Sequence, residues 1–455
     1  MRFPLQMSPT ELAGLSELFA HAVGDAGRPL KQAALVGRRL EEQFIADGWP
    51  AGKRYGKELE LARRLGVGHR IVRETARVLE ARGTARMCRG PGGGLHLTEP
   101  PPARLRDVLA GFSRLVGVTG EQVRTAVAVI DRVSLDLAAG QRLGEEIARA
   151  GTVLRPGLDH GGYPAVRFFQ ESLSWLSTCR DSGGSPGTSA VRGQRDAEAP
   201  GRAPPGTGAR PQRQAREVRY DGVHRTRAGQ IFHDLITAVE PGRWTDGLML
   251  GSEFDLCERF AADRAVLRQA IRILEVSELA ESLPGRGRGL VARTPGQASL
   301  SRMICCHFAA SRLGSEDIFP VFRSFSIELA RSAAAEAALT DVLALKRLLS
   351  RMRSQKGLHP VGPQDLMTID ERQFGLVRNP LLELFARSLK AYSSWLVPAS
   401  FPEAEAALDA FVDSTAAVAD AIADRDPNAA AAAQLAKFDR MTAVCSARIA
   451  AAAPL

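Results

Sequence analysis

A block of about forty residues occurs twice in this chain, and that repetition limits the fold more than any other feature. The first copy runs from Gly56 to Leu95 and the second from Gly251 to Leu290, aligned without a gap at a constant offset of 195. Trp49 falls on Trp244, Gly52 on Gly247, Glu58 on Glu253, Leu61 on Leu256 and Arg64 on Arg259. Arg73 falls on Arg268, Arg77 on Arg272, and Leu79-Glu80 on Leu274-Glu275. Gly90, Gly92 and Gly94 fall on Gly285, Gly287 and Gly289. The period is too long for a solenoid and reads as a duplicated domain. A chain of 455 residues is also too long for one ordinary core.

Within the first copy, Lys31 to Ile45 has helical apolar spacing at Leu35, Val36, Leu40, Phe44 and Ile45. Asp47 to Gly52 stops it. A second helix fits Lys57 to Leu65, Gly66-Val67-Gly68 makes a tight turn, and a third helix fits His69 to Ala81. Thr84 to Leu97 is Gly-rich and extended, two strands joined by a loop. Three helices followed by a β-ribbon describe a winged helix-turn-helix. Its third helix fits the major groove, its second braces the third, and its wing brings backbone close to phosphates.

The residues Lys57 to Gly83 and the wing Arg89 to Leu97 resemble the N-terminal domain of GntR-family bacterial regulators. The first copy keeps Glu58, Leu61-Ala62, Leu65-Gly66-Val67, Val72-Arg73-Glu74, Leu79-Glu80 and Gly83 of that pattern. It departs at Gly56-Lys57 and Gly68-His69. The second copy keeps Ser252-Glu253, Leu256, Arg264 and Leu267-Arg268, and departs at Ala261-Ala262 and Gln269. The resemblance implies binding to double-stranded DNA, with repression as the regulatory outcome.

The resulting expectation is a mainly α chain with two winged helix-turn-helix domains and two helical-bundle, effector-like domains, the first truncated. The segments are a helical arm at 1–30, a winged helix at 31–99, the truncated helical domain at 100–180, a disordered basic linker at 181–222, the second winged helix at 223–295 and a helical domain at 296–455. Twelve of the forty residues 181–220 are Gly or Pro and seven are Arg, which is linker composition. About six helices fit Ser299 to Ile449, with breaks near Gly314, Gly357, Asn379-Pro380, Pro398 and Asp426-Pro427. This half resembles the helical domain of the fatty-acid-regulator branch of the same family. The first half repeats part of it at an offset of 216: Pro164, Phe169 and Ser172-Leu173 match Pro380, Phe385 and Ser388-Leu389.

Arg73 and Arg268 are the leading DNA-contact candidates, one turn into each recognition helix. His69, Arg70 and Arg264 lie at the helix N-termini that usually meet bases. Asp263 reads as an N-cap. Lys57 and Ser252 head the bracing helices. Gly92 and Gly93 in the first wing, and Arg286 and Arg288 in the second, suit phosphate contact. A nucleotide-phosphate loop is disfavoured, because such a loop opens a helix and these wings do not. The related helical domains often hold a metal through an Asp and several His. Here Asp370 is kept, but Gly375, Thr415 and Phe438 stand at the His positions, so no metal is expected. Asp370 and His307 are left as surface residues. Cys305-Cys306 reads as a buried thiol pair, with a redox sensor as the sharper alternative.

Lys+Arg number 60 against Asp+Glu 51, a formal charge of +9, which suits an anionic partner only mildly. The six cysteines form no C-x-x-C pair, and no uncharged apolar run is long enough to span a bilayer. A cytoplasmic, nucleoid-associated protein without a cofactor is expected. By resemblance, a small acidic metabolite acts as effector. Two assemblies stay open, an intramolecular pseudo-dimer and a homodimer. The competing reading is a protein-interaction scaffold whose winged helices no longer bind DNA specifically. No catalytic constellation is visible.

Overall fold

The computed structural model of the protein describes residues 16, 19–20, 22, 31–150, 163–181, 227–240, 243–283, 285, 288–354, 363–396 and 405–452. The linker read at 181–222 lies outside them apart from Asp181, as does most of the arm at 1–30.

The first unit starts with α1 (Gln32–Ala46), whose stripe Val36, Leu40, Phe44 and Ile45 is buried while Leu35 is not. Trp49 follows in a left-handed conformation, and its buried indole Nε1 donates to the Thr98 carbonyl at 3.0 Å. Next come α2 (Glu58–Leu65) and α3 (His69–Arg82), separated by the turn that Gly66 opens at φ 63°. Strands β1 (Arg54–Gly56), β2 (Ala85–Cys88) and β3 (Gly94–Leu97) form an antiparallel sheet in the order β1-β3-β2. The sequence reading counts two strands here. It misses β1 because three residues carry no legible alternation, and their pairing to His96 and Leu95 comes from far along the chain. Only glycine fits where β3 crosses β1: a Cβ on Gly94 would lie 2.5 Å from the Gly56 carbonyl oxygen.

The second unit repeats this order with α7 (Arg227–Thr237), β4 (Met249–Gly251), α8 (Glu253–Arg259), α9 (Arg264–Val276), β5 (Ala280–Ser282) and β6 (Leu290–Ala292). Its sheet order is β4-β6-β5. Individual bonds recur at the same offset. Trp244 Nε1 donates to the Arg293 carbonyl at 3.1 Å, as Trp49 does to Thr98. The Ser282 N–H reaches Glu275 Oε1 at 3.1 Å, as the Met87 N–H reaches Glu80 Oε1 at 2.8 Å. Two turn glycines have no counterpart: Ala261 (φ 45°) stands for Gly66 and Glu278 (φ 56°) for Gly83.

The remaining elements are helices: α4 (Pro102–Leu115), α5 (Gly120–Ala150), α6 (Pro164–Asp181), α10 (Gln297–Ala310), α11 (Ser315–Glu336), α12 (Leu339–Ser354), α13 (Pro363–Gly375), α14 (Pro380–Leu396), α15 (Glu405–Ala423) and α16 (Pro427–Ala452). Among the described residues the last region holds seven helices rather than about six. The unread break falls between α11 and α12, where Ala337 turns to φ -60°, ψ 139° and is buried. An Ala-rich stretch is a good helix former, so packing rather than local propensity ends α11.

The two helical regions share one hydrophobic core. Helix α5 packs on α6, α11 and α14, and α4 packs on α10. Helices α6 and α14 occupy equivalent roles: each begins at a proline, and Ser172 and Ser388 each donate back to the carbonyl four residues earlier at 2.7 Å. The second unit docks through α7, with Phe232 and Ile236 against Gly111 of α4. Helices α3 and α9 pack against each other. No helix among the described residues is long and apolar enough to cross a membrane.

Candidate nucleic-acid interface

The exposed faces of α3 and α9 carry the same device. In the first unit, Arg73 Nε donates to Glu58 Oε1 at 2.8 Å, and His69 Nδ1 lies 3.1 Å from the same oxygen. In the second, Arg268 donates to both oxygens of Glu253, at 3.2 Å from Nε and 3.1 Å from the terminal nitrogen. Both guanidinium groups stay largely exposed, at 65% and 58%. The hydrogen bond from Arg73 chiefly holds the Glu58 carboxyl below the usual range, and it keeps Arg73 firmly charged. A carboxylate on α2 or α8 thus orients a cation on α3 or α9 without burying it. Glu58 and Glu253 were not assigned this role from sequence, although their spacing to the arginines is identical in both copies.

The helix starts differ between units. Asp263 accepts from the Ala265 and Val266 N–H groups at 2.8 and 2.9 Å, a side-chain N-cap, whereas Gly68 offers none. Arg70 and Arg264 are both exposed. Lys57 is exposed at the head of α2, and its N–H donates to Glu60. Ser252 is engaged as a cap: its Oγ accepts from the Asp255 N–H at 3.2 Å and donates to the Asp255 carboxylate at 2.7 Å.

Gly92 is exposed at the tip of the first wing. Gly93 is buried in the turn, where its N–H donates to the Gly90 carbonyl at 2.8 Å and a Cβ would strike the Cys88 carbonyl. Its part is to shape the wing. Arg288 is exposed in the second wing, and Arg286 lies outside the described residues.

The helical domain corrects one expectation. Asp370 is not at the surface: it is 5% exposed, on α13, with Lys390 Nζ at 2.7 Å and Lys437 Nζ at 3.3 Å. Lys437 also donates to Gln373 at 2.9 Å, and Gln373 to Gln434 at 2.7 Å. Two ammonium groups occupy the space around the carboxylate, so this donor set does not fit a metal ion. The shifts of the partners run against each other. Burial raises Asp370, but the two lysines outweigh it and hold the carboxyl low; burial lowers Lys437, with Asp370 opposing. Because Asp370 faces a second, more accessible ammonium, it is the securely charged partner. Lys390 and Lys437 were missed because neither stands in a motif. No group of three His, Cys, Asp or Glu arranged to hold a metal occurs among the described residues.

His307 is half-buried on α10 and packs on the Phe168 ring at 4.9 Å. Burial, helped by Arg106, pushes its pKa down to about 4. Cys305 and Cys306 are fully buried within α10, and burial pushes both thiols well up, away from the thiolate that redox chemistry needs.

Residues 227–290 match the family described as bacterial regulatory proteins, gntR family. That match falls on the second unit. The Uxu operon regulator of Haemophilus influenzae is 29% identical over 126 residues, which make up 28% of this chain and 44% of that relative. The match therefore spans less than half of the relative's length. Among solved structures, Streptococcus agalactiae GntR aligns at 17% identity and a TM-score of 0.32, covering 49% of this chain and 99% of its own. McbR/YncC of E. coli aligns at 12% identity and a TM-score of 0.26, covering 50% and 99%. The matched stretch carries α8 and α9.

Proposed function

We propose that this chain is a GntR-type transcriptional regulator that binds double-stranded DNA through two non-equivalent winged helices, at 31–99 and 223–295, and acts as a repressor. The observation that carries the reading is the Glu–Arg pair repeated on both units: a charged, exposed guanidinium held in a set direction one turn into the helix that enters the major groove. Arg73 and Arg268 contact phosphate or guanine. His69 and Arg70 in one unit, and Arg264 in the other, meet base edges. Lys57, the Ser252 helix start, Gly92, Arg286 and Arg288 meet the backbone, with Gly93 setting the first wing. The units differ at His69-Arg70 against Arg264-Ala265, so the target is asymmetric. The helical remainder serves as the platform for sensing or dimerisation. Its similarity to the fatty-acid-regulator branch suggests a small acidic effector, bound without a metal.

The test is duplex binding as salt is raised, using sequences selected from a random pool. Arg73→Ala and Arg268→Ala should each weaken binding and reduce the salt slope by about one. Unchanged affinity and slope in both variants would remove the site assignment and favour the protein-interaction reading.

A further inference from the structure

Six charged side chains gather where the first unit, the second unit and the helical domain meet. Arg38, Glu41 and Glu42 come from α1, Arg82 from the end of α3, Glu278 from the turn after α9 and Arg302 from α10. Arg82 and Glu41 lie 2.6 Å apart, Arg302 and Glu42 2.8 Å, and Arg38 and Glu278 2.5 Å; Arg82 also approaches Glu278 at 4.0 Å. All six side chains are at most 10% exposed. The three positive and three negative charges balance. Buried ion pairs are a poor source of net stability, because desolvation offsets their attraction, but losing one partner strands the other. Their best-attested use is to hold one arrangement against its alternatives.

Glu278 is the informative member. It stands where the first copy has Gly83, at the residue that closes the recognition helix in the left-handed region. Glycine adopts that conformation freely and a side chain does not. The second copy accepts an unfavourable backbone here, and the carboxylate so gained crosses to Arg38 and Arg82 of the first unit. A point where the two copies diverge is thus a contact that joins them. Glu278 also lines an open cleft of about 670 Å³ between the units, together with Arg77 and Arg272, which are equivalent positions of the two recognition helices.

We infer that Glu278 is a latch that locks the second winged helix onto the first, so that one chain presents both recognition helices to DNA as a single preset head. This rests on the DNA-binding reading above and extends it to the assembly: one chain occupies one asymmetric operator, at fixed half-site spacing. The cleft between the helices carries both cations and carboxylates, with Arg77 and Glu74 from the first unit and Arg272 and Glu275 from the second.

The full-length protein tests this, with spin labels carried by unnatural amino acids at the exposed Arg86 and Glu258. Pulsed dipolar spectroscopy should give one narrow distance. Glu278→Gln removes the charge, and Glu278→Gly restores the first-copy residue and relieves the backbone. Both should broaden the distribution while circular dichroism stays unchanged. With a selected duplex, native mass spectrometry should show one chain per DNA. Glu278→Gln should bind roughly tenfold more weakly and tolerate inserted base pairs between half-sites better, since two loose heads must be ordered on contact. A narrow distance retained in both variants overturns the latch, and two chains per duplex overturn the single head. If no duplex binds at all, the DNA reading fails while the distance measurement still judges the latch. If Glu278→Gln unfolds the chain, Glu278→Gly carries the test.

Discussion

Phe169 and Phe385 stack face to face with ring centroids 4.1 Å apart and planes 19° apart. They are equivalent positions of α6 and α14, one from each half of the chain, so the partial repeat at offset 216 is joined through its own matching residues. Both are fully buried. Phe169→Ala should cost about 3 kcal/mol or more in chemical denaturation, from lost transfer energy plus a cavity. The double variant Phe169→Ala, Phe385→Ala should cost less than the two singles added, because the first change already removes the shared contact.

The Asp370–Lys437 pair leads to a second expectation. Lys437→Met should leave Asp370 with only Lys390 and destabilise the fold by about 3 kcal/mol. The Asp370 carboxyl is held low in the fold, so its contribution is full above the unfolded carboxylate pKa and is lost as pH falls through the lower folded value. Asp370→Asn should therefore flatten the acid limb of the stability curve. Chelators should leave the Tm of the unmodified chain unchanged.

His307 acts over a higher pH window. Its folded pKa of about 4 lies below the ordinary 6.5, so the unfolded chain binds the proton first and stability falls as pH drops from 6.5 toward 4. The full effect is about 3 kcal/mol. His307→Phe should remove that slope in thermal melts taken across the window, without altering stability near neutrality by as much.

Ala261 holds φ 45° in the turn where the first copy has Gly66. Ala261→Gly should stabilise the protein by roughly 0.5 kcal/mol, relief of the left-handed backbone outweighing the added freedom of the unfolded chain. Denaturant midpoints with an unchanged m-value would register it.

Glu58 and Glu253 hold Arg73 and Arg268 in place. Glu58→Ala should leave binding to mixed-sequence DNA within about twofold while reducing discrimination of the selected site by roughly tenfold. Competition with single-base variants would locate the loss. Equal losses on all sequences would assign Arg73 to phosphate alone.

Much of this molecule is written locally. The stripes of α1 and α3, the tight turns and the glycine-bearing wings all depend on residues within a few positions of one another, where periodicity and backbone freedom decide the outcome. The Asp263 cap is legible for the same reason. Other features arise between residues far apart in the chain. The pairing of β1, the break at Ala337, the lysines around Asp370, the orienting of Arg73 by Glu58 and the crossing of Glu278 to Arg38 have no local signature. A side chain's charge partner and its degree of burial are set by which elements pack together. The sequence by itself determined the doubled order of helices and strands; the tertiary structure alone decided that the two units meet through a buried ionic junction, because only folding brings α1, α3, α9 and α10 to one place.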